Sequence, residues 1–505
     1  MGSHNGALLA ADDIGRLREA LLTANYTAAG IADRIGPAAV DAVRRNDFRA
    51  LLRATTDGDR LATLIRVFIA GASEPADAVA AALAPLALER AVAAGLVEPD
   101  ASALSNVRSA VDLDVYHDWW ILSDVDAGSA GRPLRPDHVL GVGNAATTLA
   151  GATIRRPVGS ALDLGTGCGV QSLHLSGHAG SVTATDISAR ALRFATTTAA
   201  LNGLEWEMLA GDLVEPVAGR RFDLVVSNPP FIVGPPTTRY AYRDSGRAGD
   251  AVCAELAAAA PGVLAEGGTM QYLANWLHVA GQDWRDRVRG WFEPTGCDAW
   301  VIQRDVSEPG AYVDLWLRDA SEPTDAARRE AWLDWFDEHR VTAVGFGVVT
   351  VRRSGRADPV VRVEELTQTV EPPLGQAIAG WFDRRDWLAA RRSNGFAPLL
   401  GESLRRSPDL RLAQEADHDE EDWTVRRQTL TQTGGLRWSE EVDTVALALV
   451  SGADGTTPLR DQLAVLAAAL DMPVDALAAA ATPVVAAMVE RGFLLPSSTP
   501  AGAPL

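Results

Sequence analysis

Short apolar runs recur from about residue 160 onward, separated by stretches with helical spacing. The runs are "SALDLG", "SVTATDIS", "WEMLAGD", "FDLVVSN", "TMQYLANW", "DAWVIQRD" and "GFGVVTVRR". Between the earlier ones lie "SARALRFATTTAALNG" and "GDAVCAELAAAAPGVLAEGG", and "EPTDAARREAWLDWFDEHR" precedes the last. Short apolar runs bounded by turn residues read as buried strands. Strands alternating with helices require crossovers, and crossovers imply a parallel sheet covered on both faces. The pattern therefore predicts an α/β fold with a seven-stranded, mostly parallel sheet.

The flanks have a different texture. The first hundred or so residues are rich in Ala and Leu at helical spacing, as in "DRLATLIRVFIAG" and "PADAVAAALAPLALERAVAAGLVEPD". Near the other end, "EEVDTVALALVSGADGTTPLRDQLAVLAAAL" and "TPVVAAMVERGFLLPS" repeat the order of helix, Gly-containing break, helix, helix. The two regions read either as winged-helix-like modules or as unrelated Ala-rich caps. A length of 505 residues exceeds what one core organises.

Charge and cysteine content narrow the functional classes. The net charge of -20 does not give the whole molecule the basic footprint of a protein that coats nucleic acid, although a local basic face is compatible with it. All 46 Lys+Arg residues are arginine, which with abundant alanine points to a GC-rich coding genome. No uncharged apolar run reaches the roughly 18 residues that span a bilayer, and the first residues lack a basic region before an apolar stretch. A cytoplasmic location is the expectation. Cys168, Cys253 and Cys297 are scattered and in no CxxC pairing, which argues against a disulfide framework or zinc site.

The segment "ALDLGTGCGV" is a strand followed by Gly165, Gly167 and Gly169 before a helix. Glycines let a backbone turn tightly and approach a ligand closely. A dinucleotide-type GxGxxG places its third glycine on Val170, so the match to NAD is poor. A purely structural turn is the competing reading. Asp186 ends the second strand, where a carboxylate suits two ribose hydroxyls, and Asp212 ends the third. Either acid alone also fits a helix N-cap. Together they set glycines, acid and acid on three successive strand ends, the edge where open α/β sheets bind ligands.

The fourth strand ends in "SNPPF". With "DLGTGCG" and "NPPF" as its most specific motifs, the stretch from Pro136 to Arg353 resembles class I S-adenosylmethionine-dependent methyltransferases. The resemblance is to the small-domain subgroup that methylates planar amino nitrogens. It implies a Rossmann-like sheet and S-adenosylmethionine as cofactor. Asp163, Gly165, Thr166, Gly167 and Gly169 then hold the methionine part. Asp186 then takes the ribose hydroxyls and Asp212 the adenine amino group, with Ile187, Gly211 and Asn228 also at the cofactor. "RPDHVLGVGNAATTLA" resembles a segment closing over the methionine, which adds Thr147 and Thr148. The implied domains are a helical one at 1–105, a connecting and site-closing segment at 106–155, the methyltransferase at 156–355 and a helical, winged-helix-like one at 356–505.

The subgroup includes RNA guanine N2-methyltransferases, adenine N6-methyltransferases and release-factor glutamine methyltransferases, and "NPPF" is nearer the RNA enzymes. Conjugated amino groups are poor nucleophiles. The Asn228 oxygen accepts one N–H and the Pro229 carbonyl the other, turning the lone pair toward the methyl donor. Asn does this without adding charge. Pro229 and Pro230 fix the turn without competing donors, and Phe231 offers a flat face, with stacking worth about 1–3 kcal/mol. An Asx turn with prolines ending a strand is the plainer alternative. The expected function is N-methylation of a nucleobase amine, in ribosomal RNA. The alternatives are methylation of a release-factor-type protein glutamine, or a cofactor-binding module without catalysis. Neither a membrane nor a metal is expected as a partner.

Three other features invite function. "DHDEED", 417–422, is an acidic run that reads as solvated rather than metal-binding. "YHDWW", 116–120, fits interdomain packing better than a substrate mouth. Arg384, Arg385, Arg391, Arg392, Arg405 and Arg406 form the densest basic stretch, in which a dispersed surface role is favoured over phosphate contact.

Overall fold

The computed structural model describes residues 6–45, 47–125, 134–319, 324–418 and 422–497. They form two compact units: the chain up to Ala150 with Arg156–Leu366, and Gly151–Arg155 with the chain from Thr367.

The first unit is organised by an eight-stranded sheet. Its strands are β1 (Ala161–Leu164), β2 (Val182–Asp186), β3 (Glu207–Ala210), β4 (Phe222–Ser227), β5 (Leu264–Val279), β6 (Asp298–Ser307), β7 (Val341–Arg352) and β8 (Val361–Glu365). The spatial order is β3-β2-β1-β4-β5-β7-β6-β8. Every pair is parallel except the two that β7 makes with β5 and β6. Helix α1 (Asn144–Ala152) precedes β1, and the helices between the strands are α2 (Val170–Ser176), α3 (Ala189–Leu201), α4 (Ala251–Val263), α5 (Trp284–Gly290), α6 (Pro309–Asp319) and α7 (Ala326–Glu338). All seven expected strands form, with β8 added at the edge. It pairs with β6 from Ala299↔Val361 to Gln303↔Glu365, and the Asp298 carboxylate accepts Val360 N–H at 2.8 Å.

The chain leaves β1 toward β2 and returns through β4 on the other side of β1. Their junction is a topological switch point, which opens a crevice at the carboxyl ends of the strands.

The N-terminal region builds onto this layer. From Arg60 its order is helix, strand (Glu74–Pro75), helix (Ala76–Leu83), helix (Leu88–Ala94), strand (Val97–Pro99), strand (Asn106–Ser109), the succession of a winged helix. A hairpin of Asp112–Tyr116 and Trp119–Ser123 follows, turning at His117 with φ 53°. It lies on α3, where Asn202 accepts Trp120 N–H at 3.0 Å and returns a bond to Trp120 O at 2.8 Å. Leu17, Leu21, Tyr26, Phe68, Leu113 and Leu122 share one buried core with Leu173 of α2 and Phe194 of α3. The Tyr116–Trp120 cluster is packing. Trp120 Nε1 donates to Tyr26 O at 2.8 Å, and Trp119 stands edge-on to His174 at 5.2 Å.

In the second unit a helix at Gly375–Ala389 precedes a hairpin of Leu410–His418 and Trp423–Gln432. Helices Thr444–Gly452, Leu459–Ala469 and Val474–Arg491 follow. Strands Asp454–Pro458 and Leu494–Pro496 flank Ser403–Arg406 in a small sheet. The arginines of the basic stretch are dispersed, with Arg392 and Arg406 exposed and Arg384, Arg385, Arg391 and Arg405 half-buried. Arg384 donates to Glu490 O at 3.2 Å, and burial pulls its pKa down to about 10. Arg385 pairs with Glu490 at 3.0 Å, Arg391 pairs with Glu402 at 2.7 Å while stacking on Trp387, and Arg406 donates to Ser451 O. In the acidic run Asp417 pairs with Arg426 at 3.0 Å, and 419–421 lie outside the described residues. Among the described residues no helix is long and apolar enough to cross a membrane, and no group of His, Cys, Asp and Glu is arranged to hold a metal ion.

Candidate active site

The glycine loop leaves β1 with Gly165, Gly167 and Gly169 at φ 72°, 56° and 91°, a left-handed backbone that disfavours any side chain. The three are not equivalent. A Cβ on Gly165 or Gly167 meets nothing within 4 Å, so these two present bare backbone to open space. A Cβ on Gly169 falls 2.8 Å from the Trp206 ring, so this glycine exists to seat the loop on Trp206. Gly165 N and Thr166 N both donate to Thr185 O at 2.9 Å, which ties the loop to β2.

Asp163 is fully buried and braces the same loop. Its Oδ2 accepts from Thr166 Oγ1 at 2.8 Å, Ser172 N at 3.0 Å and Ser172 Oγ at 2.7 Å, while Oδ1 has no partner. Burial pushes its pKa up to about 6, outweighing these bonds. Asp186 accepts Gly167 N–H at 2.9 Å and Ser188 N–H at 2.8 Å, and its pKa is likewise raised by burial. Beside it Ile187 leaves 65% of its surface exposed, an apolar face at the mouth of the crevice.

At the end of β3, Gly211 is held at φ 156°, and a Cβ there would lie 2.4 Å from Pro216 Cγ. Asp212 Oδ2 accepts from Arg247 Nη2 at 2.9 Å, a partner that its sequence neighbourhood did not announce. Thr147 and Thr148 sit on the exposed side of α1, and Thr147 Oγ1 donates back to Asn144 O at 3.0 Å. Gln171 ties α1 to α2 by donating to Ala146 O at 2.8 Å.

Across the switch point, Ser227 Oγ donates to Leu164 O at 2.9 Å and binds the end of β4 to the end of β1. The next residue, Asn228, holds its Oδ1 buried and without a hydrogen-bond donor. Pro229 O accepts Phe231 N–H at 2.7 Å, which closes the turn and leaves the carbonyl's second lone pair. Pro230 lies in the turn itself. The Phe231 ring is 6% exposed and packs against Phe346 at 5.7 Å and Trp316 at 6.1 Å, so its faces are largely covered by protein instead of open for stacking.

Two helices the motif gives no hint of hold the chain beyond the turn. Tyr312 OH of α6 accepts Val233 N–H at 3.0 Å, and Trp332 Nε1 of α7 donates to Val233 O at 3.1 Å. Asn275 of β5 donates to the same Tyr312 oxygen at 2.7 Å. Gly234 lies flat on the Trp332 indole, where a Cβ would be 2.2 Å from Nε1. A small cavity here is lined by Ile232, Gly234, Ser245, Arg247, Arg328 and Trp332.

The order β3-β2-β1-β4-β5-β7-β6 with β7 reversed, and glycines, two acids and Asn-Pro-Pro-Phe on four strand ends, define a class I methyltransferase fold. Residues 142–281 match the family model described as methyltransferase small domain. Residues 23–110 and 379–496 match models described as Domain of unknown function (DUF7059) and Domain of unknown function (DUF7782). Two curated relatives carry the name ribosomal RNA small subunit methyltransferase C. The one from Alcanivorax borkumensis is 36% identical over 117 residues, 23% of this chain and 32% of that protein. The one from Salmonella newport is 44% identical over 82 residues, 16% of this chain and 24% of that protein. The chain thus spans about a third or less of these relatives' length. Among solved structures, the T. thermophilus 16S rRNA N2 G1207 methyltransferase in complex with AdoMet and guanosine is 19% identical. That match covers 38% of this chain and 46% of the other at a TM-score of 0.26.

Proposed function

We propose that the chain is a cytoplasmic, S-adenosylmethionine-dependent methyltransferase acting on an exocyclic amino group of a nucleobase in ribosomal RNA. One observation carries the chemistry: the Asn228 side-chain oxygen is buried beside the crevice with no donor from the protein. An acceptor left so costs about 1–3 kcal/mol, which an incoming N–H relieves. A planar amino group brings two such hydrogens. The second lone pair of Pro229 O offers an acceptor on the same turn. Holding both hydrogens draws the nitrogen lone pair out of conjugation, and orientation of this kind is worth up to roughly 7–11 kcal/mol.

When bound, the cofactor supplies a methyl group activated by its sulfonium. The residues suit it. Gly165, Thr166 and Gly167 line the open side of the loop, with Asp163 bracing it and Gly169 seating it on Trp206. Asp186 serves the ribose hydroxyls, Ile187 an adenine face, and Gly211 with Asp212 the adenine edge. Thr147 and Thr148 approach from α1. The names of the matched relatives favour RNA over a protein glutamine as substrate.

The test is methyl transfer from labelled S-adenosylmethionine to separated ribosomal RNA, other RNA and protein fractions. Label on an exocyclic amine of ribosomal RNA is expected. Label confined to protein overturns the RNA reading in favour of the glutamine one.

A further inference from the structure

The first-unit segment from Ile232 to Asp250 leaves the NPPF turn, rims the small cavity and ends at α4. Within it Arg247 uses every arm of its guanidinium. Nη2 donates to Asp212 Oδ2 at 2.9 Å, Nε to Glu255 Oε2 at 2.5 Å, and Nη1 to Ser245 O at 3.0 Å. Its main-chain N–H also donates to Ser245 Oγ at 3.1 Å. One planar group therefore spans the end of β3, helix α4 and the wall of the cavity. A lysine has a single nitrogen and cannot reproduce that span.

Asp212 is a carboxylate with two oxygens, and the arginine takes only one. An anchored Oδ2 fixes the plane of the group and so the direction of Oδ1. We infer that Arg247 is a positioning residue that sets Asp212 for the 6-amino group of the cofactor's adenine and ties that recognition to the substrate-side segment. The inference rests on the reading above, in which Asp212 faces the adenine edge. No residue of the motifs provides this link. Arg247 lies in "RDSGRAGD", outside both of them.

The experiment is titration calorimetry on the full chain with two ligands, S-adenosylhomocysteine and S-inosylhomocysteine, in which a carbonyl replaces the 6-amino group. Arg247→Gln is expected to weaken the adenosyl ligand by about tenfold, the scale of one hydrogen bond to a charged group, and the inosyl ligand by less than about twofold. Arg247→Lys is expected to fall between, and it keeps the test alive if the glutamine variant melts early. Asp212→Asn combined with Arg247→Gln should cost no more than the larger single effect. Equal losses for both ligands mark a general structural role and overturn the proposal, as does an unchanged adenosyl affinity. Failure of the unaltered chain to bind either ligand instead overturns the methyltransferase reading, and this inference with it.

Discussion

The hydroxyl of Tyr312 accepts the main-chain N–H of Val233 at 3.0 Å, across 79 residues of sequence, and the Asn275 amide donates to that same oxygen at 2.7 Å. Val233 lies two residues beyond the NPPF motif, so a buried phenol from α6 fixes where the turn ends. Tyr312→Phe leaves two buried donors without their acceptor, at about 1–3 kcal/mol for each unsatisfied group. The variant is expected to melt several degrees lower and to lose about tenfold in turnover, because a small displacement of positioning residues is costly. Its affinity for S-adenosylhomocysteine should hold. A parallel loss of cofactor affinity in calorimetry would show that the clamp serves the whole crevice and not the turn.

Asn228→Ala removes the unpartnered oxygen and with it the acceptor for the amine. Turnover in the methyl-transfer assay is expected to fall by about a hundredfold or more, the range seen when one preorganised polar group is deleted from a reacting centre. Stability should not fall, since no protein hydrogen bond is lost with that oxygen. Full activity in this variant would overturn the assignment.

The glycines separate by what surrounds them. Gly169→Ala forces a methyl against Trp206 on a backbone at φ 91°, so the expected result is a loss of a few kcal/mol in denaturant melts, partly restored by Trp206→Ala. Gly165→Ala carries the backbone strain at φ 72° but no clash, and its methyl projects into open space. That variant should fold, lose less stability, and weaken cofactor binding more than Gly169→Ala. The reverse ranking would mean that the open side of the loop has been assigned to the wrong glycine.

These contrasts mark what a sequence does and does not carry. β1, β2 and β4 were legible as buried runs and β3 as a short apolar run that the fold leaves half-exposed, each ended by a Gly, Asp or Asn whose chemistry is local. β8 was not, since "VVRV" is short and half-exposed at a sheet edge. The helix α5 escaped because "WRDRVRG" is short and mixes charge with few apolar positions, and α6 because "PGAYVDLWLRD" opens on Pro-Gly, a turn signal. Asn228 was readable from its motif. Tyr312, Trp332 and Arg247 were not, because their partners Val233 and Asp212 lie 79, 99 and 35 residues away and only the fold brings them together. Phe231 was read as a stacking face, and its burial against Phe346 and Trp316 is a tertiary fact of the same kind.

Asp163 supplies the pH prediction. Its pKa in the fold is about 6 against an ordinary 3.8, with burial as the main cause. A carboxyl whose folded value lies above its unfolded value holds its proton more tightly in the native state, so the stability it contributes is present at low pH and is lost as pH rises through the interval. Over a span of about two units the loss is about 3 kcal/mol, falling between roughly pH 4 and 6. In Asp163→Asn the amide oxygen keeps the role of Oδ2 toward Thr166 and Ser172, while the amide nitrogen replaces the partnerless Oδ1. The variant cannot ionise. Denaturant melts at a series of pH values should therefore show the unaltered chain losing stability relative to Asp163→Asn across that window, with the difference level above about pH 7. A difference that does not change with pH would mean that Asp163 is no more easily protonated in the fold than in the unfolded chain.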